Sequence, residues 1–209
     1  MSLDGSRLQN AGKLMRQAAI ASVSVSVLLV AIKAVAYFAS HSVAMLASLA
    51  DSALDLFTSS LNLFAIRQAL TPADAEHRFG HGKAEPLAGL AQGAFIAASA
   101  LFLVIQATGR IMTPETITNT IPALIVMCVS ISLTIALVLY QRHVVARTGS
   151  LAIQSDHVHY VSDLATNLGV VLALVLSAWL NWTLADPIIA LGVSAIMLWG
   201  AWGVGRTSF

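Results

Sequence analysis

The sequence has few charged residues for its length. Of its 209 residues, 10% are charged and 57% are apolar, and the mean hydropathy is +0.81. Soluble proteins carry about 25% charged residues, so this chain has too little polar surface to cover a globule in water. It is predicted to be solvated by lipid. The formal net charge of +1 excludes a nucleic-acid-binding protein, which requires a strong basic excess.

Cysteine is almost absent. The single cysteine, Cys128, lies inside an apolar run, which excludes both a disulfide framework and a thiolate metal cluster. Any metal site must therefore use nitrogen and oxygen ligands. The first residues, from Met1 to Gly12, are polar, and no cleaved signal peptide is expected.

Six apolar stretches are long enough to cross a bilayer, because each has about 20 residues. Their apolar runs are continuous and do not alternate with period two, which favours helices over a β-barrel. We predict an all-α membrane protein with a cytoplasmic segment at 1–16, a six-helix transmembrane domain at 17–204 and a short tail at 205–209. The predicted spans are Gln17–Ala39, Val43–Ile66, Lys83–Ala107, Thr120–Tyr140, Val158–Leu180 and Pro187–Val204.

Basic residues are concentrated on one side of the predicted bundle. Nine of the eleven lysines and arginines lie near the termini or in the second and fourth connections, whereas Arg110 lies in a loop on the other side. This bias places both termini and the two longer loops in the cytoplasm. Lys33 lies inside the first helix, and its ammonium is expected to snorkel. The nine are Arg7, Lys13, Arg16, Arg67, Arg78, Lys83, Arg142, Arg147 and Arg206.

Four ionisable residues stand within predicted membrane helices, where charge is costly and marks an ion or substrate path. Asp51 and Asp55 in the second helix, and His159 and Asp163 in the fifth, are each spaced i to i+4, so each pair shares one helix face. Together they offer three carboxylates and one imidazole, which suit a tetrahedral zinc or related divalent ion. A helical aspartate can instead serve as a cap or pair with a basic residue, but no Lys or Arg lies close in sequence to the first pair.

Neighbouring polar residues fit the ligand set less well. His157 is turned well round the helix from the other ligands, which favours His159. Asp156 could join the same face, but it is expected to cap the fifth helix. Asn62 and Asn167 continue the two stripes and are expected to hydrogen-bond the ligands.

A second candidate metal site lies in the second connection, in the run PADAEHRFGHGKAEP. Asp74, His77 and His81 could supply three ligands, and the glycines at positions 80 and 82 permit the tight turns that folding around an ion requires. Polar loops commonly contain such residues without binding anything. Spacing alone therefore leaves both interpretations open.

The DxxxD of the second helix, the HxxxD of the fifth and the loop FGHGKAEPLAGLAQ together resemble the cation diffusion facilitators over essentially the whole chain. These are six-helix, usually dimeric exporters that move zinc and similar divalent cations against protons. The resemblance implies Zn²⁺ efflux by proton-coupled antiport, with Cd²⁺ or Fe²⁺ as further substrates. It also implies a homodimer formed through membrane helices in the bacterial inner membrane.

The resemblance carries over to individual residues. The ligand pattern is similar to that of bacterial zinc-type members, and not to the aspartate-only fifth helix of manganese-type members. Members usually continue into a cytosolic metal-binding domain, whereas this sequence ends at Phe209. Either the chain is truncated or it is a naturally short member, and in both cases Lys83 would lack its usual partner. The matching residues are Asp51, Asp55, His159 and Asp163 for the transport site, and Asp74, His77 and His81 for the cytoplasmic loop site.

The expected mechanism is alternating access at a site between the second and fifth helices. His159 is the natural proton carrier, because histidine titrates near neutral pH and only its neutral form binds a metal. An exporter of Fe²⁺, Cd²⁺, Co²⁺ or Ni²⁺ and a membrane metal sensor without transport stay as alternatives. An enzyme is not expected, since the sequence contains no HExxH motif.

Overall fold

The computed structural model describes residues 2–40, 43–71, 81–112, 120–180 and 185–208. These residues form six α-helices and no strand, as the sequence predicts. A helix satisfies its backbone N–H and C=O groups by hydrogen bonds within one segment. This is required in a membrane, because lipid tails offer no hydrogen-bond partners. The helices are α1 (Ser2–Ser40), α2 (Val43–Ala69), α3 (Ala84–Met112), α4 (Thr120–Thr148), α5 (Leu151–Leu180) and α6 (Ala185–Ser208).

The first helix begins earlier than predicted. α1 starts at Ser2 and not at Gln17, so the segment expected to precede the bundle is itself helical. Polar residues mark where a helix leaves the lipid, but they do not end it, because its backbone bonds persist in water. The predicted span is thus the apolar part of a longer helix.

The fourth connection is also shorter than predicted. We expected a longer loop between the fourth and fifth spans, but α4 and α5 are separated only by Gly149 and Ser150. Gly149 has φ of +65°, and its N–H donates to the carbonyl of Val145 at 2.8 Å. This left-handed glycine ends α4 as a C-terminal cap. The chain therefore reverses direction within two residues.

α5 lies at the centre of the bundle. In the described part of the chain it contacts each of the other five helices, while α3 packs most extensively against α6 and α1 against α2. Small residues allow α5 and α6 to approach closely: a Cβ at Gly200 would come within 2.9 Å of Val158. Side chains on α5 can therefore reach partners on every neighbouring helix.

The side chains are distributed as in a membrane protein. Large apolar groups lie on the outer surface, whereas serine, asparagine, glutamine and aspartate are buried. This is the reverse of a soluble protein and suits a bundle surrounded by lipid. The exposed apolar residues include Phe38, Phe64, Phe102, Trp199 and Trp202, and the buried polar ones include Ser22, Ser26, Asn62, Gln92, Gln141 and Asp156.

Four of the six helices, α1, α3, α4 and α6, have described segments long and apolar enough to cross a membrane. The chain is therefore a multi-pass membrane protein. α2 and α5 are the helices that carry the predicted ligand pairs. That these two also span the bilayer, and that both termini are cytoplasmic, stay predictions.

Asp156 joins four helices and does not cap α5. It lies in the second turn of α5, is 0% exposed, and accepts hydrogen bonds from Ser22 of α1 at 2.5 Å, Gln92 of α3 at 2.8 Å and Gln141 of α4 at 2.7 Å. The cap is Ser150, whose hydroxyl accepts the N–H three residues later at 3.2 Å. The expectation that Asp156 caps the helix is wrong, because the helix begins five residues earlier.

Replacing Ser22 by alanine is expected to destabilise the bundle by about 1–2 kcal/mol, because it leaves Asp156 and Gln141 each short of a buried partner. Ser24→Ala is the matched control, since the Ser24 hydroxyl is exposed and, among the described residues, bonds only within its own helix. Unfolding in detergent micelles measures both. Equal effects of the two substitutions would contradict the role given to Asp156.

Candidate metal site

One face of α5 carries four polar residues. Asp156, His159, Tyr160 and Asp163 are spaced i, i+3, i+4 and i+7, so they project from the same side of the helix. Since α5 lies at the centre, this side faces the interior. α2 presents Asp55 to it.

Asp55, His159 and Asp163 meet at one point. His159 Nε2 lies 3.1 Å from Asp55 Oδ1 and 3.6 Å from Asp163 Oδ2, and one ligand atom from each residue lies within 4.8 Å of the other two. Ligands of a tetrahedral zinc ion with bonds of about 2.1 Å are separated by about 3.4 Å. The observed spacing is therefore close to that of a metal site.

The cluster also contains an unsatisfied atom. Asp163 Oδ2 is buried and has no hydrogen-bond partner among the residues that the structure describes. A buried carboxylate oxygen without a donor is unfavourable. A divalent cation between Asp163, Asp55 and His159 would supply the missing partner, and the nitrogen and oxygen donors suit zinc or a related ion.

Asp51 stands apart from these three residues. It lies one turn before Asp55 on α2, its side chain is exposed, and it is not among the atoms that lie within 4.8 Å of one another. The structure thus brings together three of the four predicted ligands. The fourth, Asp51, lies on the same face of α2 as Asp55, one turn closer to the N-terminal end of the helix.

Tyr160 fixes the position of its neighbour His159. The two rings pack edge to face with centroids 5.6 Å apart. The Tyr160 hydroxyl is 2.6 Å from the hydroxyl of Ser26 on α1 and 2.9 Å from that of Ser59 on α2. These bonds connect α5 to α1 and α2 at the level of the cluster. They therefore fix the rotation of α5 about its own axis, which turns His159 toward Asp55.

The other predicted residues have different surroundings. Asp74 and His77 of the loop site lie outside the described residues. His81 is half-buried in the turn before α3, where its carbonyl accepts the N–H of Ala84 at 3.0 Å. The loop site therefore stays a prediction.

One expected supporting residue is placed differently, and the competing histidine lies outside the cluster as predicted. Asn62 donates to the carbonyl of Ala152 at 3.1 Å, and so joins α2 to α5 instead of bonding a ligand. His157 is half-buried and is not in the cluster. Of the two neighbouring histidines, the structure therefore places His159 against Asp55, as the helical spacing favours.

Sequence reasoning missed the polar residues that surround the cluster. Their signal is present: glutamines and repeated serines interrupt otherwise apolar helices, and polar side chains in membrane helices usually face the bundle interior. Their mutual contacts could not be read from the sequence, because they join helices far apart along the chain. The residues are Ser22, Ser26, Ser59, Gln92, Gln141 and Tyr160.

The sequence of the chain is similar to those of known cation-efflux proteins. The profile of the cation efflux transmembrane domain matches residues 19–209. The cation-efflux pumps FieF of Escherichia coli O1:K1 / APEC and of Escherichia coli strain K12 / DH10B are each 44% identical over 197 residues, which is 94% of this chain and 65% of the relative. The chain thus spans just under two thirds of the length of these relatives. Cation efflux transporters are not enzymes, as expected here.

We expect His159→Ala to weaken Zn²⁺ binding more than the roughly 10–100-fold that loss of a supporting residue costs, because it removes a predicted direct ligand. His157→Ala is the matched control, two residues away on the same helix, and should leave the affinity nearly unchanged. Isothermal titration calorimetry of the detergent-solubilised protein measures both. A larger loss for His157→Ala would contradict the assignment.

Proposed function

Because the chain belongs to the cation efflux transmembrane-domain family, we propose that it exports a divalent metal cation from the cytoplasm in exchange for protons. The observation that carries the proposal is the meeting of Asp55, His159 and Asp163 inside a bundle whose outer surface is apolar. Ionisable residues buried among membrane helices are costly and serve ion paths. The membrane proposed is the bacterial inner membrane.

Zn²⁺ is the proposed substrate. The site offers carboxylates and one imidazole, and zinc is commonly bound by such ligands in tetrahedral geometry. Iron, cadmium, cobalt and nickel ions accept the same donor types, and affinity alone does not separate them. Selectivity therefore depends on how far α2 and α5 let the ligands adjust.

The burial of the polar face on α5 indicates how the cation leaves. Exposure falls along the helix from the half-buried Asp163, through His159, to Tyr160 at 1% and Asp156 at 0%. Asp51, at the N-terminal side of the cluster on α2, is exposed. With the proposed topology, the site is open toward the outer side and closed toward the cytoplasm, as in a state that releases the cation outward.

Proton exchange follows from the chemistry of the ligands. A proton and a metal compete for the imidazole of His159 and for the carboxylates of Asp55 and Asp163, since only the deprotonated forms bind metal. A more acidic medium outside would protonate the ligands and release the ion. In the opposite state the metal displaces the protons into the cytoplasm.

Two further features belong to the proposal. Asp74, His77 and His81 form a second metal site in the cytoplasmic loop, supported by their ligand types and spacing. Two copies of the chain associate through membrane helices, supported by the large apolar outer surface. Such a surface can be covered either by lipid or by another copy.

In proteoliposomes with an internal fluorescent zinc indicator, the protein is expected to give Zn²⁺ flux that depends on an imposed proton gradient. Asp51→Ala should abolish this flux, because it removes a ligand on the outer path. Ser60→Ala, at an exposed position on the same helix, should retain it, because the Ser60 hydroxyl bonds the carbonyl of Leu56 within α2. Zinc binding without flux in the unsubstituted protein would favour a metal sensor and contradict transport.

The zinc concentration for half-maximal flux is expected to rise as the pH falls from about 8 to about 6, because protons compete with the metal for the imidazole of His159. His159→Ala should lose most of this pH dependence, whereas His157→Ala should keep it. The concentration dependence of flux at a series of pH values gives both results. Transport by His159→Ala with an unchanged pH profile would rule out His159 as the proton carrier.

A further inference from the structure

Lys33 brings a positive charge into the bundle beside the candidate site. It was expected to snorkel to the interface, but it is only 8% exposed. Its Nζ donates to the hydroxyl of Ser52 at 2.7 Å and to the carbonyl of Ser48 at 3.2 Å. The expectation is wrong because both acceptors lie on α2, so the ammonium is turned toward the interior. Within the described part of the chain, both of these partners are uncharged.

The acceptors of Lys33 adjoin the ligands on α2. Ser48 and Ser52 are one turn apart on the helix, and Asp51 lies three residues after the first and one residue before the second. Residues three apart are neighbours on a helix surface. The ammonium therefore lies beside the stripe formed by Asp51 and Asp55.

The charges of this region cancel when the carboxylates are ionised and a divalent cation is counted. Asp51, Asp55 and Asp163 supply three negative charges, and Lys33 supplies one positive charge. With a neutral imidazole, a bound dication brings the sum to zero. An uncompensated charge among membrane helices is costly, and Lys33 reduces that cost when the cation is absent.

We propose that Lys33 is a positioning residue for cation transport, whose fixed charge sets the affinity of the site so that the cation can leave. When the site is empty, the ammonium compensates Asp51. When a dication is bound, the two positive charges repel each other. Both effects lower the affinity and speed release, because a transport site must not hold its cargo too tightly. This inference rests on the proposed function.

The charge can be separated from the hydrogen bonds by three substitutions. Lys33→Met keeps the length and removes the charge, Lys33→Gln keeps a hydrogen-bond donor without charge, and Lys33→Arg keeps the charge. For the Met and Gln variants we expect Zn²⁺ to bind at least about tenfold more tightly, with a lower maximal flux because release is slower. The Arg variant should resemble the unsubstituted protein in both.

The measurements are Zn²⁺ titration calorimetry and Zn²⁺ flux in proteoliposomes, each with the full chain. Asp51→Asn provides a second test: in that background Lys33→Met should tighten binding much less, because the carboxylate that Lys33 compensates is gone. A role in packing alone would predict weaker binding, with no such dependence on Asp51.

The outcomes distinguish this inference from the proposed function. Unsubstituted protein that neither binds nor transports Zn²⁺ would overturn both. Normal transport with unchanged or weaker binding in Lys33→Gln would overturn the inference alone. If Lys33→Met does not fold, the Gln and Arg variants are compared instead. Zn²⁺ binding that is tighter with Gln and normal with Arg supports the inference. Equal Zn²⁺ affinity in the Gln and Arg variants overturns it.

Discussion

No water reaches the centre of a bilayer to solvate a carboxylate, and the arrangement of α5 among its neighbours follows from that constraint. Asp156 is wholly buried, so its oxygens must be bonded by other helices, and α1, α3 and α4 each supply a donor. Tyr160 is bonded to α1 and α2 in the same way. The polar residues that are most costly to bury are thus the ones that fix the position of the central helix.

The same contacts connect the stability of the bundle to its candidate metal site. Asp156 and Tyr160 share the face of α5 that carries His159 and Asp163. The bonds that hold the first two therefore define where the second two point, and one residue of α2, Asp55, completes the cluster. A cation between these ligands would supply a partner for Asp163 Oδ2, which has no hydrogen bond within the described part of the chain. The residues of the site and the residues that hold them in place form one continuous polar stripe on α5. Its exposure falls from the half-buried Asp163 to the fully buried Asp156.

Local patterns were enough to predict the helices and the i to i+4 pairs of ionisable residues on α2 and α5. Six apolar runs predict six helices, and the i to i+4 spacing shows that His159 and not His157 shares a face with Asp163. The pattern failed where polar residues continue a helix beyond the lipid, as at the start of α1 and between α4 and α5. It also failed for Lys33 and Asp156. The ammonium of Lys33 is expected at the membrane interface and Asp156 at the end of α5, but both side chains are buried inside the bundle.

The sequence by itself determined the class of protein, the number of helices and the residue types available to bind a cation. Only the tertiary structure decided which groups meet: that Asp55 contacts His159 while Asp51 stays exposed, that Lys33 bonds α2, and that Asp156 joins four helices. The physical reason is that periodicity fixes which residues share a face within one helix. The rotation and tilt of helices distant in sequence depend on packing and on the satisfaction of every buried polar group at once.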